Sequence, residues 1–201
     1  MRIILASQSP RRRELLGQMG FSFTVRPAKG EELPHPELTP AQLVEELARQ
    51  KALEVSAEAE ADDVVVAADT VVAIDGKVLG KPHDKVHAAQ MLSALSGREH
   101  TVYTGVAVKR GETLLVEHEA TLVRFRPLTQ REIHLYIQTG EPMDKAGGYG
   151  IQGYGALLVE GIRGDYFNVV GLPICRLGRM LAQVGEDALA QCAQKCAEKE
   201  R

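Results

Sequence analysis

The stretch DVVVAADTVVAI, residues 63–74, restricts what this chain can become more than any other segment. A near-continuous run of β-branched and small apolar residues reads as a strand buried on both faces, and such strands lie in sheets covered by helices. Asp69 stands inside it. An ionised carboxylate there costs several kcal/mol unless it is paired or holds a cation. Two readings follow: Asp69 is a strand-end acid that reaches solvent, or it is the centre of a functional site. Thr70 points to the opposite face of the strand and should meet different neighbours.

The flanking sequence alternates helix and strand signals. Residues 2–6 read as a short buried strand. Ser9-Pro10 has the chemistry of a helix start, carrying Leu15, Leu16 and Met19 inward and stopping at Gly20. FSFTVRP, 21–27, alternates like a strand, and 28–38 reads as loop. Thr39 with Gln42 forms a capping box that opens a helix to about Ala57. A turn is expected at Asp75-Gly76, a helix from about Asp84 to Leu95, and a hairpin of strands 100–110 and 113–126 around Gly111. Thr129 with Glu132 caps a further helix to about Gln138. A glycine-rich loop, 144–155, leads to a strand over ALLVEGI, and one or two helices follow Pro173. The class is α/β or α+β with a mixed sheet. With no repeat and no linker, residues 1–201 are expected to form one unit.

Composition narrows the function. A formal net charge of -3 argues against coating nucleic acid or an anionic membrane, so a polyanion must be met by a local cluster. No apolar run approaches the roughly 20 residues of a membrane span. The start, MRIILASQSPRR, lacks the long apolar core of a signal peptide. Cys175, Cys192 and Cys196 include no CxxC pair. Cys192 and Cys196 fall in line with Leu189 as an apolar helical stripe expected to face the core, which suits a reducing cytosol.

Local cations are abundant. Val44, Leu47, Ala48 and Val55 form the apolar seam of the second helix, and Lys51 falls within it. A lysine aimed inward wants an anion, and its removal is expected to relieve desolvation in the empty protein. Arg11, Arg12 and Arg13 crowd the first turn of the first helix, where the helix dipole disfavours cations. A bound polyphosphate compensates them, with at least one of the three left as a solvated surface residue. Lys81 follows the acid-bearing strand on a rigid loop, and Glu31 and Glu32 supply a second carboxylate site. Cations for phosphate, separated carboxylates for a divalent metal, and a helix N-terminus together suit metal-assisted attack of water on a phosphoryl centre. GYGIQG, 148–153, formally matches a dinucleotide fingerprint, but a strand rather than a helix is expected after it, and no P-loop motif is present. His83 and His87 read as surface residues.

Four segments carry a resemblance: LASQSPRRRELL at 5–16, AADTVV at 67–72, LGKP at 79–82 and DKAGGYGIQG at 144–153. In order and spacing they resemble the signature segments of the Maf family, nucleotide pyrophosphatases once described as septum-formation inhibitors. The resemblance implies a mixed, strongly twisted sheet in two lobes around a cleft, similar to inosine triphosphate pyrophosphatases. It implies hydrolysis of a nucleoside triphosphate to monophosphate and pyrophosphate with a divalent cation, Mg²⁺ or Mn²⁺. By motif position Asp69 is the proton acceptor and a metal ligand, and Glu32, or Glu31 in its place, assists at the metal. Ser7, Ser9, Arg11, Arg12, Lys51 and Lys81 hold phosphate. Arg11, Thr70 and Gln152 occupy the positions that separate Maf groups, and GYGIQG resembles the group that hydrolyses dTTP and UTP. A Gln amide has a donor and an acceptor for a pyrimidine edge. The resemblance further implies a cytoplasmic homodimer that removes non-canonical nucleotides, with no nucleic-acid or membrane partner. Two alternatives stay open: an enzyme acting on methylated guanine nucleotides, and a nucleotide-binding regulator of division without turnover.

Overall fold

The computed structural model describes residues 2–30, 35 and 37–199, with side chains except at 194–196, 198 and 199. The chain opens with β1 (Ile3–Leu5), α1 (Pro10–Gln18), β2 (Phe23–Val25) and α2 (Pro40–Ser56). The apolar run becomes β3 (Val64–Ile74) and turns back as β4 (Lys77–Leu79). Helix α3 (Lys85–Leu95) leads to a long hairpin, β5 (Glu99–Arg110) and β6 (Thr113–Phe125). Then come α4 (Gln130–Gln138), 3₁₀ turns at Glu141–Asp144, Ala146–Gly148 and Gly153–Leu157, and β7 (Val159–Arg163). Helices α5 (Tyr166–Val170), α6 (Ile174–Gln183) and α7 (Ala188–Lys199) complete it.

The strands form one mixed sheet in the order β2-β1-β3-β5-β6-β7, with β4 also on β3. β5 pairs antiparallel with β3 from Val64 to Ala73. On the other edge of β3, parallel β1 pairs only with Val64–Val66, and antiparallel β4 only with residues 72–74. Among the described residues, 67–71 therefore have a strand neighbour on one side only. Asp69 and Thr70 lie in that gap.

Local chemistry accounts for the helix starts. Ser9 accepts from the Arg12 amide ahead of Pro10, and both halves of the capping box are made at Thr39/Gln42 and at Thr129/Glu132. The β3–β4 hairpin turns on Asp75 (φ 52°) and Gly76 (φ 73°), the positive-φ pair that tight hairpins need.

Three cores cover the sheet. Val64, Val66 and Ala68 of β3 pack with α1 and α6, through residues such as Leu16, Leu177 and Leu181. Val72 and Ile74, in step with them along the strand, belong to a second core with Leu92 of α3 and Ile133 of α4. Thr70 falls between these two cores. On the opposite face, Val65 and Ala67 pack against Ala48, Ala52 and Val55 of α2.

Several expectations need correction. The ALLVEGI strand starts only at Val159, because Ala156 and Leu157 complete a 3₁₀ turn that begins at Gly153. β4 and α5 were not expected; at three and five residues, neither is long enough to leave a periodic pattern. Leu189 is 82% exposed, so the proposed Leu189–Cys192 stripe does not face the core as a unit. Cys192 instead donates to the Met19 carbonyl, and the Cys196 side chain lies outside the described residues. Among the described residues, no helix is long and apolar enough to cross a membrane.

Gly105 sets the height of α2 above the sheet. It pairs with Asp69 across the β3–β5 ladder, and a Cβ on it would lie 2.0 Å from the Val44 carbonyl oxygen of α2. Backbone cannot yield there as a flexible side chain would. Gly105→Ala is expected to cost about 1–3 kcal/mol by overpacking, lowering the urea midpoint with little change in slope. An unchanged midpoint would show that α2 is not seated on Gly105.

Candidate active site

The gap in the β3 ladder opens into a cleft of about 790 Å³. It is walled by the β1–α1 corner, Ala28 and His35 ahead of α2, α2 itself through Leu43, Leu47 and Lys51, the loop after β4, Val102 of β5, the glycine-rich loop and the end of α5. Every described residue expected at the site lines this one cavity: Ser7, Ser9, Arg11, Arg12, Lys51, Asp69, Thr70, Lys81 and Gln152. Glu31 and Glu32 lie outside the described residues. Arg13 is exposed and does not line the cleft, as expected for one member of the arginine cluster.

Asp69 and Lys51 meet from two elements. Lys51 Nζ donates to Asp69 Oδ1 at 2.5 Å, with both side chains largely covered. The pairing explains how a carboxylate persists within β3 and a lysine within the seam of α2. It also changes the expected effect of removing Lys51, which would strand Asp69 without its cation. Asp69 Oδ2 makes no hydrogen bond among the described residues.

Arg12 is fixed on the other face. Its Nε donates to the Gly171 carbonyl at 2.8 Å, Nη1 to Ser7 Oγ at 3.3 Å, and Nη2 to Thr70 Oγ1 at 2.9 Å. Asp69 and Thr70 thus have different first neighbours, as strand alternation requires. Both still line one cleft, because the missing strand leaves that edge of β3 open to both faces.

The glycine-rich loop closes the far wall. Gly147 has φ 69°, donates to the Gly80 carbonyl at 2.9 Å, and lies so close to Val72 that a Cβ would meet Cγ2 at 2.9 Å. Arg11 donates across the cleft to Asp144 Oδ2 at 3.0 Å, and Lys145 Nζ donates to Asp144 Oδ1 at 2.7 Å. Burial alone would raise the Asp144 carboxyl, but the hydrogen bonds from Lys145 and Arg11 outweigh it and hold it below its ordinary value. Tyr149 of the loop is tied at 2.8 Å to buried His100, whose pKa burial lowers to about 4. Asp144, Lys145 and Tyr149 line the cleft but were not singled out as site residues; only their place in DKAGGYGIQG marked them. His83 and His87 stack on each other, 4.1 Å between ring centroids, outside the cleft lining.

Among the described lining residues, five basic side chains (Arg11, Arg12, Lys51, Lys81, Lys145) face two carboxylates, Asp69 and Asp144. In a chain of net charge -3 this is the local cationic cluster a polyanion needs. The described residues contain no group of three His, Cys, Asp or Glu able to hold a metal. A small hard cation needs no such cage: one or two carboxylates suffice when phosphate oxygens and water complete its shell. Asp69, with Oδ2 available, fits that role.

A family model described as "Maf-like protein" matches residues 2–184. The dTTP/UTP pyrophosphatase of Symbiobacterium thermophilum is 54% identical over 184 residues, covering 91% of this chain and 94% of its own. That of Moorella thermoacetica is 54% identical over 189 residues, 92% and 96% of the two chains. That of Bacillus pumilus is 53% identical over 183 residues, 91% and 96%. Two solved structures are also similar. A nucleoside-triphosphatase, or dITP/XTP pyrophosphatase, of Mycobacterium abscessus shares 18% identity at a TM-score of 0.47, covering 92% of this chain and 98% of its own. The Ham1 protein of Staphylococcus aureus shares 16% identity at 0.47, covering 77% and 78%.

The Lys51–Asp69 pair makes a stability prediction independent of turnover. Lys51→Met should destabilise by about 1–3 kcal/mol, the scale for leaving a largely buried charged group without its partner. Adding Asp69→Asn should recover most of that loss in denaturant titrations. Additive losses would show that the two side chains are not coupled.

Proposed function

This chain belongs to the Maf family, and from that premise we propose that it hydrolyses dTTP and UTP to the monophosphate and pyrophosphate. One observation carries the proposal: the Asp69 carboxylate, braced by Lys51, opens onto a cleft rich in cations, in a chain about half identical to named dTTP/UTP pyrophosphatases.

In the mechanism, Arg11, Arg12 and Lys81 take the triphosphate oxygens, helped by Ser7, Ser9 and the N-terminal amides of α1. Lys51 holds Asp69 in place and offsets its repulsion of the incoming anion. Asp69 accepts the proton of a water that attacks the α-phosphorus. The bond from that phosphorus to the oxygen bridging it to the β-phosphate breaks, and pyrophosphate leaves with the electron pair, stabilised by the surrounding cations. Asp69, together with Glu32 or Glu31, would hold a divalent cation, Mg²⁺ or Mn²⁺, which would supply Lewis-acid polarisation of the phosphoryl oxygens. Gln152 is exposed at the cleft and reads the pyrimidine edge with its amide; a base lacking that edge would leave polar groups unpaired. Such an activity suits a cytoplasmic enzyme that clears non-canonical pyrimidine nucleotides.

Asp69→Asn should fold normally and lose at least about 100-fold in kcat. On a panel of nucleoside triphosphates, dTTP and UTP should lead dATP, GTP and methylated GTP by about 10-fold or more in kcat/KM, and chelation of the metal should abolish turnover. Gln152→Ala should flatten the panel more than it slows the best substrate. A panel led by methylated GTP would overturn the pyrimidine assignment; near-normal turnover by folded Asp69→Asn would overturn the mechanism.

A further inference from the structure

We infer that Thr104 and Asn168, neither of which lines the cleft, are positioning residues for Arg12 and act on it through Thr70. The inference rests on the proposal that Arg12 binds phosphate.

Four groups form a chain. Arg12 Nη2 donates to Thr70 Oγ1 at 2.9 Å, Thr70 Oγ1 lies 2.9 Å from Thr104 Oγ1, and Thr104 Oγ1 donates to the Asn168 carbonyl at 3.0 Å. A hydroxyl carries one proton, and a backbone carbonyl can only accept. The Thr104 proton is therefore committed to Asn168. The bond between the two threonines must use the Thr70 proton, so Thr70 turns lone pairs toward Arg12. The direction of the chain is fixed at its buried end: Arg12 to Thr70 to Thr104 to the Asn168 carbonyl.

That end is anchored. Asn168 and Thr104 are fully buried. Asn168 Nδ2 donates to the Val102 carbonyl of β5 at 3.0 Å and to Thr121 Oγ1 of β6 at 2.9 Å, while Thr121 donates to the Asp165 carbonyl at 2.9 Å. A five-residue helix has no stability of its own, so these bonds from the sheet fix where α5 sits. Through α5 the anchor acts on Arg12 twice: by way of the two threonines, and through the Gly171 carbonyl at the helix end, which accepts from Arg12 Nε. The guanidinium is ordered before substrate arrives, which lowers the entropy lost on binding. Thr70 thereby serves substrate choice through the placing of Arg12, since its proton is already spent on Thr104.

Thr104→Val keeps the shape and removes the acceptor, so the Thr70 proton is free to turn on Arg12 and oppose its donor. The expected result is a KM for dTTP raised about 10-fold, the scale of one hydrogen bond to a charged group, with kcat changed much less. Thr104→Ser should restore it. In an Arg12→Ala background, Thr104→Val should change KM no further. An equal rise in KM in both backgrounds, or a folded Thr104→Val with unaltered KM, would overturn the inference. If Thr104→Val does not fold, Thr70→Val in the same two backgrounds decides the coupling. Calorimetric binding of inorganic tripolyphosphate to the wild type, Thr104→Val, Arg12→Ala and the double variant needs no turnover. A wild type that fails to hydrolyse nucleotides would therefore count against the proposed function and leave the relay to be judged by binding.

Discussion

Residues 67–71 of β3 pair with β5 along one edge and, among the described residues, have no strand on the other, because β1 stops at Leu5, opposite Val66, and antiparallel β4 ends at Leu79, opposite Val72. A strand interior is ordinarily the least accessible part of a sheet. Here the interruption brings it to the surface of a cleft while the β5 pairing keeps it rigid. A carboxylate on one face and a hydroxyl on the other can then meet the same ligand. Rigidity matters because a reacting group must be held within fractions of an ångström, which scaffold strands do better than loops. Gly105, directly across from Asp69, extends the same logic to α2: with no side chain between them, the helix comes close enough for Lys51 to reach the carboxylate.

Electrostatics explains why such a centre is tolerable without substrate. Both carboxylates of the cleft have partners already in place, the buried Asp69 with Lys51 and the more exposed Asp144 with Lys145 and Arg11. Exposed pairs of this kind contribute little to stability, and partly covered ones can cost more in desolvation than they return. Their value lies in preorganisation. The cations stand converged on one cavity before a polyanion enters it, in a chain whose overall charge is negative.

Much of this was legible in the sequence, for identifiable reasons. Asp69 stood out because a carboxylate contradicts an otherwise apolar strand, and Lys51 because a lysine contradicts an apolar seam. The helix starts at Ser9, Thr39 and Thr129 were readable because capping is local chemistry, and the structure bears them out. The direct pairing of Asp69 with Lys51 was not readable, since it depends on how α2 sits on the sheet. The signal that could have anticipated it is the glycine inside the TGVAV strand, which marks close backbone approach. Thr104 and Asn168 left no trace in pattern, because a buried polar residue acquires its role only from partners on other elements. Leu189 was misread for the converse reason: three residues at helical spacing define a stripe, but not which side of it faces the core.

The step that defines the proposed reaction is the attack of water on the α-phosphorus beside Asp69. Turnover of dTTP in heavy-oxygen water, with both products resolved by mass spectrometry, tests that step directly. Attack at the α-phosphorus places one heavy oxygen in the monophosphate and none in the pyrophosphate. Label in the pyrophosphate, or in released orthophosphate, would mean that water attacks further along the chain and would contradict the assignment.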